Sequence, residues 1–185
     1  QNLLNNVVGG GVDVVEDAFQ FASENGREGL GCITLISSGN DDKDCVNFPA
    51  KLPSVIAVGA VKGNGQISEY SNGGPTLDIV APSSEYIFND AGDVIAIQYG
   101  IVTTDRMGFL GYNNSNYNNF FGGTSAACPQ VAGVAALVLS LNPLLTKQEV
   151  EDILLSTADD MGPAGFDNNF GHGRDIAYGA VRAVL

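Results

Sequence analysis

The residue with the clearest chemical setting in this sequence is a serine at the start of a long apolar run. Ser125 follows Gly122-Gly123-Thr124 and precedes the small residues Ala126-Ala127-Cys128, and the apolar run continues to Leu141. A serine at the start of a helix is most often an N-cap. Here the small neighbours also let another element approach closely, and the helix dipole stabilises negative charge on the serine oxygen. The pattern therefore leaves two roles open for Ser125, a helix cap and a nucleophile.

A second polar side chain, Asn40, comes just after a predicted buried strand. Residues 32–36 are a continuous apolar run, and Ser37-Ser38-Gly39-Asn40 follows it. In open α/β sheets, ligand-contacting groups come directly after the carboxyl ends of parallel strands. An amide at that position can donate to a negatively charged oxygen. The alternative is a turn residue within Gly39-Asn40-Asp41-Asp42.

Residues 123–133, with the sequence GTSAACPQVAG, resemble the nucleophile motif of the subtilisin-like serine proteases, the subtilases. Residues 37–40 are similar to the oxyanion segment of that family. Residues 48–60 and 70–82 are similar to its next two strands, and all these motifs come in the family's order. Residues 25–31 and 171–178 are similar to its kexin-type branch. The resemblance covers about residues 12–185, nearly the whole chain.

This resemblance implies a serine endopeptidase segment that cleaves a peptide or protein substrate through an acyl-enzyme. Ser125 would be the nucleophile, and Asn40 would donate its side-chain amide to the oxyanion. The backbone of Ser37, Ser38 and Gly39 would form one wall of the pocket for the side chain before the cut, and residues 8–10 are the candidate for the opposite wall. The resemblance also implies secretion. It requires no cofactor for the chemistry and allows a structural calcium ion.

The chain departs from the subtilases in its histidine content. A subtilase uses an Asp and a His that precede the serine, but the single histidine here, His172, follows Ser125. The resemblance assigns His172 to a structural turn, although triads occur in other chain orders on other folds. A serine without its base is a poor nucleophile, so we expect this chain alone to be close to inert.

Three hypotheses follow from the missing Asp and His. The first, which we favour, is a protease segment that a preceding stretch of chain completes with both residues. The second is a subtilase-fold pseudo-enzyme or binding module that does no chemistry. The third is a different serine hydrolase that uses His172 as its base.

The acidic and cysteine residues are the remaining candidates for a site. Asp41, Asp42 and Asp44 form either a calcium-binding loop or a solvated acidic loop. We expect the solvated loop, because the sequence has no calcium-loop spacing of the EF-hand type. The kexin-type resemblance gives Asp44 an alternative role in selecting basic residues before the cut. The cysteines Cys32, Cys45 and Cys128 allow at most one disulfide, with Cys32 and Cys45 closest in sequence, or three buried thiols.

The elements that would position Ser125 and Asn40 alternate between helices and strands. Continuous apolar runs predict parallel strands, buried on both faces, at residues 32–36, 55–61 and 77–81, with shorter strands at 94–97 and 100–102. The sequence also predicts four helices. They are a helix with an apolar stripe that ends at Asn25, an apolar helix over 126–141, a helix after a capping box at Thr146, and a last helix with Asp175 as its N-cap. Residues 108–123 are predicted to be a loop.

This order predicts an α/β protein with a mainly parallel sheet. The resemblance specifies a three-layer subtilisin-like fold that is incomplete at its N-terminal side. The composition fits one compact globule, with 24 glycines in 185 residues and 44% hydrophobic residues. The chain begins at Gln1 without a signal-peptide pattern, so we expect either a processed product or a segment of a longer chain. By the order of the motifs that resemble the subtilases, we interpret residues 1–185 as the C-terminal portion of a subtilase catalytic domain. Its partner would be the remaining N-terminal part of that domain.

The charge and hydropathy exclude two other classes of partner. The net charge is −13, whereas a nucleic-acid partner requires clustered Lys and Arg. No uninterrupted apolar run reaches the ~18 residues of a membrane span. We therefore expect neither a nucleic-acid partner nor a membrane.

Overall fold

The computed structural model describes the backbone of residues 2–98 and 100–185, and the side chains of these residues except 2–13, 88 and 94. The described helices are α1 (Asn2–Asn25), α2 (Thr124–Leu141), α3 (Lys147–Ser156) and α4 (Ala177–Arg182), with 3-10 turns at Arg27–Gly29 and Gly108–Leu110. The described strands are β1 (Leu35–Ser37), β2 (Ile56–Val61), β3 (Ile79–Pro82), β4 (Glu85–Phe88), β5 (Val94–Gln98), β6 (Ile101–Thr104) and β7 (Tyr117–Phe121).

Strands at the three predicted positions form one parallel sheet, in the order β1-β2-β3. The prediction of a strand over 32–36 that is buried on both faces was wrong, because β1 is confined to Leu35–Ser37 and is only partly buried. The register of the sheet pairs Leu35 with Ile56 and Val58 with Ile79. Every residue of β2 is buried, because alternate side chains enter two different cores. Ile56 and Val58 pack towards the helices, while Ala57 packs into a smaller cluster on the other face. The prediction of an α/β fold with a parallel sheet is therefore confirmed.

Helix α2 packs on all three strands of this sheet and carries much of the main core. Its buried residues include Ala127, Val131 and Val138. Among the described residues it is the one helix long and apolar enough to suit a membrane span, but its place against the sheet is that of a core helix. The capping box that begins α3 is confirmed, since the Thr146 hydroxyl accepts from the amide of Glu149 and the Glu149 carboxylate accepts in return.

Two predictions about the connecting segments were wrong. Residues 117–121, predicted as loop, form β7 and pair antiparallel with β6. Their Asn-rich composition indicates a loop locally, and only pairing with a distant strand overrides it. Helix α4 has Ile176 as its N-cap residue and no side-chain cap, so Asp175 does not cap it. Instead the amide of Asp175 donates to the carbonyl of Val80 at 2.9 Å.

Candidate active site

Ser125 lies at the exposed N-terminal end of α2, between buried neighbours. The N-cap residue is Gly123, at φ 79° and ψ 171°, and no side chain caps the helix. The cap role considered for Ser125 is therefore wrong. Thr124 and Ala126 are buried, whereas Ser125 is exposed to solvent. The amide of Ser125 is one of the first amides of the helix, which have no acceptor within it. The hydroxyl and the amide of Ser125 thus share the positive end of an 18-residue helix.

Asn40 lies directly beside this helix start. Its Oδ1 accepts from the backbone amide of Thr124 at 2.8 Å and from the Thr124 hydroxyl at 2.9 Å. Both partners are donors, so the oxygen of the Asn40 amide must face Thr124 and its Nδ2 must face away. Asn40 is exposed to solvent, and among the described residues no acceptor binds its Nδ2. The structure therefore brings a free amide donor to the residue next to Ser125.

A buried polar network, which the sequence analysis missed, holds the start of α2 in place. The Tyr70 hydroxyl accepts from the amide of Gly123 at 3.2 Å and donates to the carbonyl of Ser84 at 2.9 Å. The Ser83 hydroxyl donates to the carbonyl of Gly123 at 2.8 Å. Ser83 and Ser84 directly follow β3, so their position after a predicted strand was the available signal. The network ties the carboxyl end of the sheet to the amide cluster around Ser125.

The predicted pocket wall, Ser37 to Gly39, is held by a second buried residue. Ser38 is buried, and its hydroxyl donates to the carbonyl of Asn72 at 2.9 Å. Gly39 has φ 116°, and a Cβ there would lie 2.3 Å from Nδ2 of Asn72. Asn72 is fully buried, and its Oδ1 accepts from the amides of Asp41 and Lys43. The polar run before β3 was the sequence signal for Asn72, which shapes the loop that carries Asn40.

The pocket role of Ser37, Ser38 and Gly39 stays a prediction. Ser37 ends β1 and is partly buried, and the Ser38 amide and carbonyl are both engaged within the protein. The opposite wall, proposed at residues 8–10, falls within α1, and the side chains there lie outside the described residues.

His172 lies at the other end of the sheet from Ser125. Its amide donates to the carbonyl of Asp78, which directly precedes β3, at 2.8 Å. Ser83, which contacts the start of α2, follows β3. Ser83 comes five positions after Asp78 along an extended chain, which corresponds to about 16 Å at ~3.3 Å per residue. His172 is exposed, and its ring meets the ring of Phe166 edge to face, with the ring centroids 5.5 Å apart. Because it lies at the opposite end of β3 from Ser125, His172 is not placed to act as its base.

The acidic loop next to Asn40 behaves as a solvated loop. Asp41, Asp42 and Asp44 are exposed, and hydrogen bonds from Asn47 and Asn72 hold the pKa of Asp41 below its usual value. Among the described residues no group of three or more His, Cys, Asp or Glu side chains could hold a metal ion. Asp41, Asp42 and Asp44 therefore belong to no cluster of this kind in the described structure.

The cysteines take no part in the candidate chemistry. Cys32, Cys45 and Cys128 are all free thiols, and Cys45 is exposed, which contradicts the alternative of three buried thiols. Burial raises the pKa of Cys128 to about 11. That thiol therefore stays protonated at neutral pH and does not compete with Ser125 as a nucleophile.

Known proteins are similar to this chain in both sequence and fold. Residues 4–173 match the subtilase family. A calcium-dependent protease of Trichormus variabilis is 38% identical over 185 aligned residues, which cover 91% of this chain and 27% of that protein. Subtilisin E of Bacillus subtilis is 35% identical over 150 aligned residues, which cover 79% of this chain and 32% of subtilisin E. A solved protease structure from Pseudoalteromonas arctica superimposes with a TM-score of 0.70 at 32% identity, covering 92% of this chain and 46% of that one.

The chain belongs to the subtilase family and has the subtilisin-like α/β fold. It spans about a quarter to a third of the length of the two curated relatives. The similarity of residues 25–31 and 171–178 to the kexin-type branch stays a prediction.

Proposed function

We propose that this chain is the C-terminal portion of a subtilase catalytic domain and supplies its nucleophile and oxyanion donors. The observation that carries the proposal is the pair of hydrogen bonds from Thr124 to Oδ1 of Asn40, at 2.8 and 2.9 Å. They orient the Asn40 amide so that its NH₂ is free beside the exposed Ser125. A nucleophile next to convergent donors is the arrangement that acyl transfer requires.

The reaction would begin with attack of Ser125 Oγ on the carbonyl carbon of the scissile peptide bond, while a base takes the hydroxyl proton. The carbonyl oxygen becomes an oxyanion that accepts from Nδ2 of Asn40 and from the amide of Ser125. The tetrahedral intermediate then collapses to an acyl-enzyme as the protonated base gives its proton to the leaving amine. Water then attacks the carbonyl carbon of the acyl-enzyme while the base takes its proton, and collapse of this second intermediate releases the carboxylic acid product and the free Ser125 hydroxyl. The substrate is a peptide or protein.

The base and the carboxylate that orients it would come from chain that precedes these residues. The described part of the chain has an open face suited to such a segment. Strand β1 pairs only with β2 among the described strands, so its other edge is unpaired. An apolar groove of about 270 Å³ lies between α2 and the segment that leads into β1, with a lining that includes Ile33, Leu35, Ala136 and Leu139. Unpaired edges and apolar grooves of this kind favour a further strand.

Secretion and structural calcium belong to the same proposal. Secretion is implied by the family alone. One relative is named a calcium-dependent protease, which supports testing the complete protein for calcium-dependent stability. We assign no described residue to that ion.

An activity-based phosphonate probe tests the proposal on the complete protein. We expect labelling at Ser125, and loss of both labelling and peptide hydrolysis in Ser125→Ala. Ser140→Ala is a matched control, because Ser140 is an exposed serine on the same helix whose hydroxyl donates to the carbonyl of Leu137. Undiminished proteolysis by Ser125→Ala would refute the proposal.

A pseudo-enzyme or binding module is the second candidate, because the sequence contains no histidine besides His172. Mass spectrometry of the purified protein separates the two. A companion segment that carries an Asp and a His-Gly-Thr motif supports the protease, and its absence together with a lack of labelling supports the binding module. Unchanged activity in His172→Gln would refute the third hypothesis, a serine hydrolase that uses His172 as its base.

A further inference from the structure

Three charged side chains, Lys62, Glu69 and Glu85, meet just after the carboxyl end of β2 and form what we call the ion cluster. The Lys62 ammonium pairs with both carboxylates, and its Nζ lies 3.4 Å from Oε1 of Glu85. Only 11% of the Lys62 side chain is exposed, and the side chains of Glu69 and Glu85 are 36% and 28% exposed. Charges so withdrawn from solvent require partners. The cluster therefore differs from an exposed ion pair, which contributes little to a structure.

The turn after β2 brings Glu69 back to Lys62. Val61 and Ile67 pair antiparallel across this turn, so the chain reverses direction between them. Glu69 follows Ile67 by two positions. Glu85 comes from a separate part of the chain, as the first residue of β4. Lys62 therefore joins two segments that no local contact of the chain holds together.

Each glutamate is next in the chain to a residue that anchors the start of α2. Glu69 precedes Tyr70, whose hydroxyl accepts from the amide of Gly123 at 3.2 Å. Glu85 follows Ser84, whose carbonyl accepts from the Tyr70 hydroxyl at 2.9 Å. Gly123 is the N-cap residue of α2. The ion cluster therefore lies one residue away, on both sides, from the contacts that hold the beginning of the nucleophile helix.

Without the ammonium, the ion cluster would hold two carboxylates of like charge. Oε2 of Glu69 is buried and has no hydrogen-bond partner among the described residues, so Lys62 supplies the compensating charge. The hydrogen bond to Glu69 raises the pKa of Lys62, and the ammonium stays charged at neutral pH. Like charges repel more strongly here than in water, because the protein screens them less. This repulsion would draw Tyr70 away from Ser84 and loosen the start of α2.

We propose that Lys62 is a positioning residue for Ser125. By neutralising Glu69 and Glu85, it keeps the segments that carry Tyr70 and Ser84 together, and these fix the amides at the start of α2. Lys62 acts through those segments and not by contact with the substrate. The inference rests on the proposed function, because the groups that it positions are the nucleophile and the oxyanion donors.

Two measurements on the complete protein test the inference, and one of them does not require hydrolysis. Hydrogen–deuterium exchange in a Ser125→Ala background reports local opening of residues 122–126. We expect Lys62→Met to speed exchange there by up to about tenfold, the effect of weakening one hydrogen bond, while α3 exchanges as before. In the protein with Ser125 intact, the same substitution should lower kcat by about tenfold to 10²-fold at an unchanged KM, because reacting groups tolerate little misplacement.

Three variants show whether charge is the cause. Lys62→Arg keeps a cation that can pair with both carboxylates, so it should retain the exchange rate and kcat. Lys62→Met combined with Glu85→Gln removes the repulsion and should restore most of both. Lys51→Met is the matched control, because Lys51 is an exposed lysine and its loss changes the net charge by the same amount. It should leave exchange and kcat unchanged.

The outcomes separate this inference from the proposed function. Unchanged exchange of residues 122–126 in folded Lys62→Met overturns the inference, and so does a uniform rise along the whole chain, which would mean that Lys62 supports only the fold. A fall in kcat that neither Lys62→Arg nor Glu85→Gln restores overturns it as well. If exchange rises while kcat is unaffected, Lys62 does not position Ser125 and the proposed function stands. If exchange responds as expected but the parent protein neither reacts with the probe nor cleaves peptides, the proposed function fails and the anchoring of the helix start by Lys62 stands.

Discussion

A partly buried carboxyl at the amino end of β3 makes the stability of the fold depend on pH. Oδ2 of Asp78 accepts from the amide of Ala57 at 2.6 Å, and the side chain is partly buried. Burial raises the pKa of Asp78 from 3.8 to about 6, even though the hydrogen bond from Ala57 favours the charged form. The charge of Glu151 raises this pKa further, while His172 and Lys147 lower it.

The sign of the pH dependence follows from this raised pKa. Between pH 3.8 and about 6 the folded protein holds a proton on Asp78 that the unfolded chain has released. The free energy of unfolding therefore falls as the pH rises through this interval. A change from 3.8 to about 6 corresponds to about 3 kcal/mol, at ~1.36 kcal/mol for each tenfold change in proton affinity.

The substitution Asp78→Asn removes the charge and keeps an oxygen that can accept from Ala57. We expect this variant to be more stable than its parent at pH 7, by up to about 3 kcal/mol, and equally stable near pH 4. Part of the slope will remain, because burial also raises the pKa of Asp175 to about 6. Asp90→Asn, at an exposed carboxyl, should leave the slope unchanged.

Urea unfolding of the complete protein at pH 4, 5, 6 and 7 measures the effect, in a Ser125→Ala background that prevents self-digestion. An Asp78→Asn protein that is less stable than its parent at pH 7, or that keeps the parent's full slope, would refute the reasoning. In that case the hydrogen bond to Ala57, and not burial, governs this carboxyl.

Three further substitutions test the site and the scaffold. Asn40→Asp keeps the acceptor for Thr124 but loses the Nδ2 donor. The kcat for peptide hydrolysis should therefore fall by at least about 10²–10³-fold, a range measured on subtilisin and carried over here. The melting temperature should stay unchanged. Tyr70→Phe leaves the amide of Gly123 without its buried acceptor, which should cost about 1–3 kcal/mol in denaturant unfolding and lower kcat. Thr146→Ala removes the cap of α3 and should cost about 1 kcal/mol while kcat stays unchanged, whereas a fall in kcat would contradict a purely local role.

The strands and helices of the core were readable because their signals are local. The apolar run at residues 55–61 predicts a strand buried on both faces, and β2 is buried throughout. The capping box at Thr146 lies within four consecutive residues and marks the start of α3 correctly. The strand β7 was missed, because the residues that pair with it come from β6, more than ten positions earlier.

The features of the site also divide into those with a local sequence signal and those that depend on distant contacts. The sequence by itself determined the residue types: a serine among small residues at the start of an apolar helix, and an asparagine just after a buried strand. The tertiary structure decided that Asn40 and Thr124, 84 positions apart, are joined by hydrogen bonds that free the Asn40 donor. It also decided that His172 lies at the opposite end of β3 and that Tyr70 and Asn72 support the loops of the site. A residue type follows from local spacing, whereas the direction of an amide depends on which distant groups the fold brings within hydrogen-bonding distance.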